Sequence, residues 1–346
     1  MARGRPRKKT RDYQIDILKA LGIIFVVAGH TGSSFTNWFY AFHMALFFFV
    51  SGYLRYGKND KSSWKEFIKK RTKTSIIPYV VFWFISVLYA YGYGFALYKE
   101  LPKPIELEAW KGLLLGGQTL YENTNNFPIW YLQFYFIASI VFEFIVRYFN
   151  KYFKIITIII LLIITIPIQK AIPGRPIFHI DVLPAAIIYM LLGYYFKHLI
   201  DNKKIEEVKN NIPVGTLILI FGWGISMRYG GSIADVGGYS YLVGAAAITI
   251  ALYILSSKLI NSKILLYIGE KTLYILGLHC LTRDICSSFT KFIFKCIGLK
   301  QSFLENVVVV FLTIILCCAA EELYKISKRH ILEYYQILKN KVVKKS

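Results

Sequence analysis

Ile155-Ile156-Thr157-Ile158-Ile159-Ile160-Leu161-Leu162-Ile163-Ile164-Thr165-Ile166-Pro167-Ile168 carries no charge and no alternation of polar with apolar residues. The run is too long for a buried strand. It also lacks the polar face that a helix on the surface of a soluble protein needs. It predicts a helix that crosses the hydrocarbon core of a bilayer, where about 17–25 mostly apolar residues suffice. Working outward, 212–227 and 239–257 are uncharged as well. Across 346 residues the hydrophobic share is 55%, against about 45–50% for soluble domains, and the mean hydropathy is +0.46. The expected fold class is all-α, a polytopic membrane protein of about ten transmembrane helices. The expected spans are 15–35, 37–55, 75–98, 127–149, 155–172, 180–199, 212–229, 239–258, 264–297 and 303–326. The ninth is long and predicts a break or tilt.

The formal net charge is +22. That excess alone would admit nucleic acid as a partner, but its placement follows the spans. Thirty of the 42 Lys and Arg fall on one side of the expected topology. They include Arg3, Arg5, Arg7, Lys8, Lys9 and Arg11, the run from Arg55 to Lys73, and seven residues of the C-terminal tail. The other side holds nine: Lys99, Lys103, Lys111, Lys170, Arg175, Arg228, Lys291, Lys295 and Lys300. By the positive-inside rule the rich side is cytoplasmic. Both termini are therefore expected in the cytoplasm and the chain in the cell membrane, surrounded by membrane lipids. The expected organisation is a basic N-terminus 1–14, a membrane domain 15–326 and a basic tail 327–346. Arg3-Gly4-Arg5-Pro6-Arg7 looks like a minor-groove-binding core. Basic residues before a first span are ordinary topology signals, so no nucleic-acid partner is expected. No convincing signal-cleavage site follows the first apolar run, and the loop 99–126 is too short for a folded domain. The five cysteines have no zinc-ligand spacing and read as packing residues; no metal is expected.

Ionisable residues inside spans are costly and are functional candidates by default. Lys19 and His30 are eleven residues apart. On a helix they differ by roughly 20° in direction and stand roughly 17 Å apart along the axis. Asp16 lies close enough to neutralise Lys19. His43 sits in the second span, after a short turn that makes the two helices antiparallel neighbours. One membrane histidine is commonly a hydrogen-bonded packing residue. Two at matching depth on adjacent helices are harder to explain by packing alone. His279 reaches a comparable depth, with Arg283 and Asp284 one turn beyond. Glu143, Glu321 and Glu322 read as interfacial carboxylates, His198 and His330 as solvated. His179 and Asp181 open the sixth span and could meet a ligand outside. Trp130 and Tyr131 follow Pro128 at the start of the fourth span, as an interfacial aromatic pair or a stacking surface for sugar. Lys69-Lys70-Arg71 reads equally as topology charge and as a pocket for an anionic ligand such as a nucleotide phosphate.

Taken in order, several of these segments resemble the acyltransferase-3 family of membrane O-acyltransferases, and within it the fucose 4-O-acetylase-like branch. The resembling residues are Ile15-Asp16-Ile17-Leu18-Lys19 with Gly29-His30, and His43-Met44-Ala45-Leu46 running on to Ser51-Gly52-Tyr53. Arg71 with Ile77-Pro78-Tyr79, Ile129-Trp130-Tyr131-Leu132, and Ile268-Gly269-Glu270-Lys271 through His279 complete the set. The resemblance implies ten helices and transfer of an acyl group, usually acetyl from cytosolic acetyl-CoA, to a carbohydrate hydroxyl at or beyond the outer face. Much of the family has an arginine where this chain has Lys19, which keeps the charge but not the bidentate geometry toward phosphate.

An alcohol is a poor nucleophile, and histidine is the side chain suited to deprotonate it near neutral pH. The expectation is that His30 is the general base and His43 orients it or the reacting groups. Lys19 and Arg71 would hold the phosphates of acetyl-CoA, with Asp16 as an orienting residue. Trp130, Tyr131, His279 and Ser51 are the candidates for substrate contact. Direct transfer and an acyl-histidine route both remain open. The alternative function is a transporter or flippase for a lipid-linked sugar, although no internal repeat is visible to support one. A membrane scaffold would leave the paired histidines unexplained.

Overall fold

The computed structural model describes residues 11–32, 36–58, 62–98, 107–116, 126–172, 174, 176–229, 232–233, 238–298 and 303–343. The basic stretch from Arg3 to Lys9, most of the loop 99–126, Arg175 and Lys300 lie outside them. All regular elements among the described residues are helical.

Helix α1 (Tyr13–Gly29) starts where the Asp12 carboxylate accepts from the Ile15 N–H, satisfying one orphan donor of the first turn. Past Gln14, Asp16 and Lys19 it is apolar on every side, and it is buried on more than one face. The expected second span is divided. Helix α2 (Thr36–Tyr40) ends at a buried turn through Ala41 and Phe42, and α3 (His43–Arg55) begins there. Helix α4 (Trp64–Arg71) opens with a capping box between Ser63 and Glu66. The basic segment read from sequence as a connection is thus largely helix. A π-helical turn (Thr72–Ile76) joins α4 to α5 (Ile77–Tyr98). Pro78 has no N–H to give the Thr74 carbonyl, so the regular ladder cannot run through this point.

After α6 (Leu107–Leu115), a 3-10 turn (Phe127–Ile129) leads into α7 (Trp130–Tyr148), followed by α8 (Lys151–Ala171). A second 3-10 segment (Ile177–Val182) precedes α9 (Leu183–Asp201). Then come α10 (Ile212–Tyr229), α11 (Tyr239–Ser256), α12 (Lys263–Glu270), α13 (Thr272–Cys296) and α14 (Phe303–Val343). Among the described residues six helices are long and apolar enough to cross a membrane, or seven if the bent pair α12–α13 counts as one span. The expectation of about ten therefore resolves into fewer of that length and apolarity. Helix α1 has 17 residues, about 26 Å, against a hydrocarbon core of about 30 Å. Helix α3 has 13. The break expected in the ninth span is present as an 84° bend between α12 and α13.

Helix α1 sits at a seam. Its Ile15 and Leu18 belong to a core built with α3, α7, α9 and α11. Its Ala20, Ile23, Val26 and Val27 belong to a second core with α5, α13 and α14. On one side of the seam α3 and α9 meet backbone to backbone. Gly52 lies against Met190, and Gly193 against Phe49, where a methyl group would collide with main chain. On the other side, Gly269 of α12 lies against the Asp16 backbone. Helix α8 is peripheral: Ile155, Ile156, Ile159, Ile160 and Ile163 form an exposed apolar stripe, the surface expected against lipid.

Candidate active site

Lys19, Ile23 and Val26 fall at successive turns on one stripe of α1, and the next position of that stripe is His30, the C-cap. The first three line a cavity of about 350 Å³. Its other walls come from α3 (Met44, Phe47, Val50, Ser51), the α4–π-turn junction (Lys70, Arg71, Thr74, Ser75), α7 (Tyr131, Leu132, Tyr135) and α13 (Thr272, Leu273, Leu276). Lys19, Lys70 and Arg71 gather the positive charge at one end. Ile23, Val26, Phe47, Leu132 and Leu276 make the rest apolar. The cavity thus carries charge where α1 begins and loses it toward His30.

The two expected cations differ in their pairing. Lys19 forms an ion pair with Asp16 at 2.7 Å, and Asp16 also pairs with Arg11 at 2.5 Å. Arg71 donates to the Tyr135 hydroxyl at 3.0 Å and lies over the rings of Phe67 and Tyr135. Among the described residues these partners include no carboxylate. A planar guanidinium held in place by rings, with no carboxylate against it, is arranged to receive an anion. A wider cavity next to this one shares Leu54 with it. There Arg11 pairs with Asp16 and Lys197 with Asp201, so much of its charge is already met.

At the far end of α1 the structure brings three histidines together. The rings of His30 and His279 have centroids 5.1 Å apart. Tyr40 packs on both His30 and His43, with centroids 5.4 Å and 5.2 Å away. Nδ1 of His43 donates to the Phe39 carbonyl at 2.6 Å. Nδ1 of His279 donates to the carbonyls of Ile275 and Leu276. A carbonyl only accepts, so both rings carry the proton on Nδ1 and present Nε2 with a lone pair. His30 differs: Nδ1 meets the Tyr40 hydroxyl at 2.7 Å. His30 is also half-buried, whereas His43 and His279 are buried. Its backbone is tied to α13, since Arg283 donates to the His30 carbonyl at 2.7 Å while also holding Asp284. Among the described residues no group of three His, Cys, Asp or Glu is arranged to hold a metal ion.

The remaining candidates divide. Ser51 and Tyr131 lie on the cavity wall with Lys19 and Arg71. Trp130 does not; its ring lies 4.4 Å from that of His179, whose backbone, like that of Phe178, is left-handed. His198 pairs with the Tyr56 hydroxyl rather than standing free in solvent. Sequence reading did not single out Tyr40, Thr74 or Tyr135. Tyr40 has a faint signal, lying one helical turn before His43. It also read Glu143 as interfacial, whereas Glu143 is 1% exposed and held by Arg55 at 2.6 and 2.9 Å and Arg147 at 2.7 Å. Lys271 is likewise buried at the bend, paired with Glu321 at 3.4 Å and with Glu322.

A family model described as an acyltransferase domain, Acyl_transf_3, matches residues 12–322. No curated protein and no solved structure matches the chain.

Proposed function

The chain belongs to this acyltransferase family and is a multi-pass membrane acyltransferase, and from that premise we propose that it transfers an acetyl group from cytosolic acetyl-CoA to a hydroxyl of a cell-surface or lipid-linked carbohydrate, with His30 as general base. The observation that carries the reading is the cavity along α1, basic at the Lys19–Arg71 end and largely apolar as far as Val26, one helical turn short of His30. Acetyl-CoA has the same polarity: phosphates at one end, a thin uncharged arm, and a thioester at the other. Lys19, Lys70 and Arg71 hold the phosphates, and Ile23, Val26 and Phe47 flank the arm. Helix α1 is continuous from Tyr13 to Gly29, so the rise from Lys19 to His30 is roughly 17 Å.

At the far end, Nε2 of His30 takes the proton of the acceptor hydroxyl as its oxygen attacks the thioester carbonyl. The new C–O bond forms, the C–S bond breaks, and the departing thiolate recovers the proton from Nε2. Both termini lie in the cytoplasm in this arrangement, which puts the basic end of the cavity where acetyl-CoA is made and the histidines toward the outer face.

The test is incubation of the purified protein, in lipid, with acetyl-labelled CoA and membranes of the source cell. Label should enter a carbohydrate fraction, and Arg71→Ala should raise the KM for acetyl-CoA at least tenfold. A transporter or flippase would neither transfer label nor hydrolyse the donor. Normal transfer by His30→Ala would sink the assignment of the base.

A further inference from the structure

His279 bonds the carbonyls of Ile275 and Leu276 in its own helix, and His43 bonds the Phe39 carbonyl of α2 across the Ala41–Phe42 turn, so each of these buried rings is satisfied by a nearby backbone carbonyl. His30 has left the helix. As C-cap its φ and ψ are −93° and 3°, and its Nδ1 reaches Tyr40 instead of a carbonyl. A hydroxyl, unlike a carbonyl, can either accept or donate. The direction of this one bond therefore decides which nitrogen of His30 is basic.

We propose that Tyr40 is a positioning residue for the transfer: its hydroxyl oxygen accepts from Nδ1–H of His30 and so keeps the lone pair on Nε2. This rests on the reading of His30 as the base. When Nε2 takes the proton from the acceptor, the ring becomes a cation with both nitrogens protonated, and the Nδ1–H···O bond strengthens because its donor is now charged. The groups that face this ring are Tyr40, Phe127 and His279, the last two with ring centroids 5.1 Å away, and Arg283 on the His30 carbonyl. The His43 ring packs on the same Tyr40. Arg283 and Tyr40 thus fix the residue from two sides, one through the backbone and one through the ring.

Tyr40→Phe removes the hydroxyl and keeps the ring that packs on His30, His43 and Gly29. With labelled acetyl-CoA and source-cell membranes as acceptor, kcat should fall by about 10–100-fold, a part of what a positioned base contributes, while the KM for acetyl-CoA stays within about twofold. Unchanged kcat would overturn the proposal, as would a raised KM with kcat preserved. If His30→Ala is inactive in the same assay, those outcomes leave the base assignment standing; if His30→Ala is active, both readings fall. Should Tyr40→Phe fail to bind acetyl-CoA, 3-fluorotyrosine at position 40 decides. Its oxygen is a weaker acceptor, so a slower kcat supports the proposal and an unaltered one overturns it.

Discussion

Three imidazoles around one point do not have equal standing. His43 and His279 are buried, 3% and 0% exposed, each with Nδ1 spent on a backbone carbonyl, and Nε2 of His279 meets Cys280 Sγ at 3.6 Å. A base must come within hydrogen-bond reach of the proton it takes, and His30 is the least buried of the three. His30→Ala should cost roughly 10²–10⁴ in kcat, and His279→Gln much less, since glutamine keeps a donor and an acceptor in the same wall. Comparing kcat of the two variants in one assay checks this. A different residue-scale case is Glu143, which has no part in the cavity. Its carboxylate holds Arg55 and Arg147 together at the ends of α3 and α7. Removing one partner of a buried ion cluster costs about 3–5 kcal/mol because the other charges stay behind unpaired. Glu143→Leu should therefore lower the thermal unfolding midpoint in detergent sharply, while the molecules that remain folded bind acetyl-CoA normally.

At the scale of elements, much of what was legible came from length and charge. The run 155–168 is a long helix with an exposed apolar stripe, and the excess length of the ninth span is the bend at Lys271. What was not legible is which apolar runs face lipid. Helices α1 and α3 read as spans because they are apolar, yet they are short and wrapped by other helices. Composition alone cannot distinguish a hydrocarbon neighbour from a protein one. The helix through Lys69-Lys70-Arg71 was hidden in the same way, because its charges looked like a connection. The candidate site shows the same limit. Lys19 and His30 could be placed on one stripe by arithmetic, Arg71 and Tyr131 stood out as part of a basic run and an aromatic pair, Ser51 came through resemblance, and Tyr40 through none of these. Contacts between α1, α3, α4, α7 and α13 depend on helix packing, which has no local signature beyond small residues. Gly193 is such a residue. A side chain there would meet the Phe49 backbone, so Gly193→Val should destabilise by about 1–3 kcal/mol through overpacking. Gly92, where an added methyl group would have no neighbour within 4 Å, is the control: Gly92→Ala should leave the unfolding midpoint unchanged or raise it slightly.

For the whole molecule, the seam at α1 is the feature that ties fold to function. Two cores meet there without closing, and the gap is the cavity. A gap between two separately packed groups of helices can be stable and open, because neither core needs it filled. Its orientation is testable. In a background lacking the five native cysteines, Lys70→Cys should react with a membrane-impermeant maleimide only from the cytoplasmic side, and Ser288→Cys only from the other. The reverse result would turn the donor path around. The cavity can also be closed without touching a charge. Thr74 lies on its wall near Arg71 and is exposed, so Thr74→Trp adds an indole at the charged end while leaving both cores intact. If the donor enters there, the KM for acetyl-CoA should rise by tenfold or more, with kcat at saturating donor and the unfolding midpoint near their normal values. If the acceptor enters there instead, donor KM should stay put and the acceptor dependence should change. The same substitution therefore reports which of the two substrates uses the basic end of the seam.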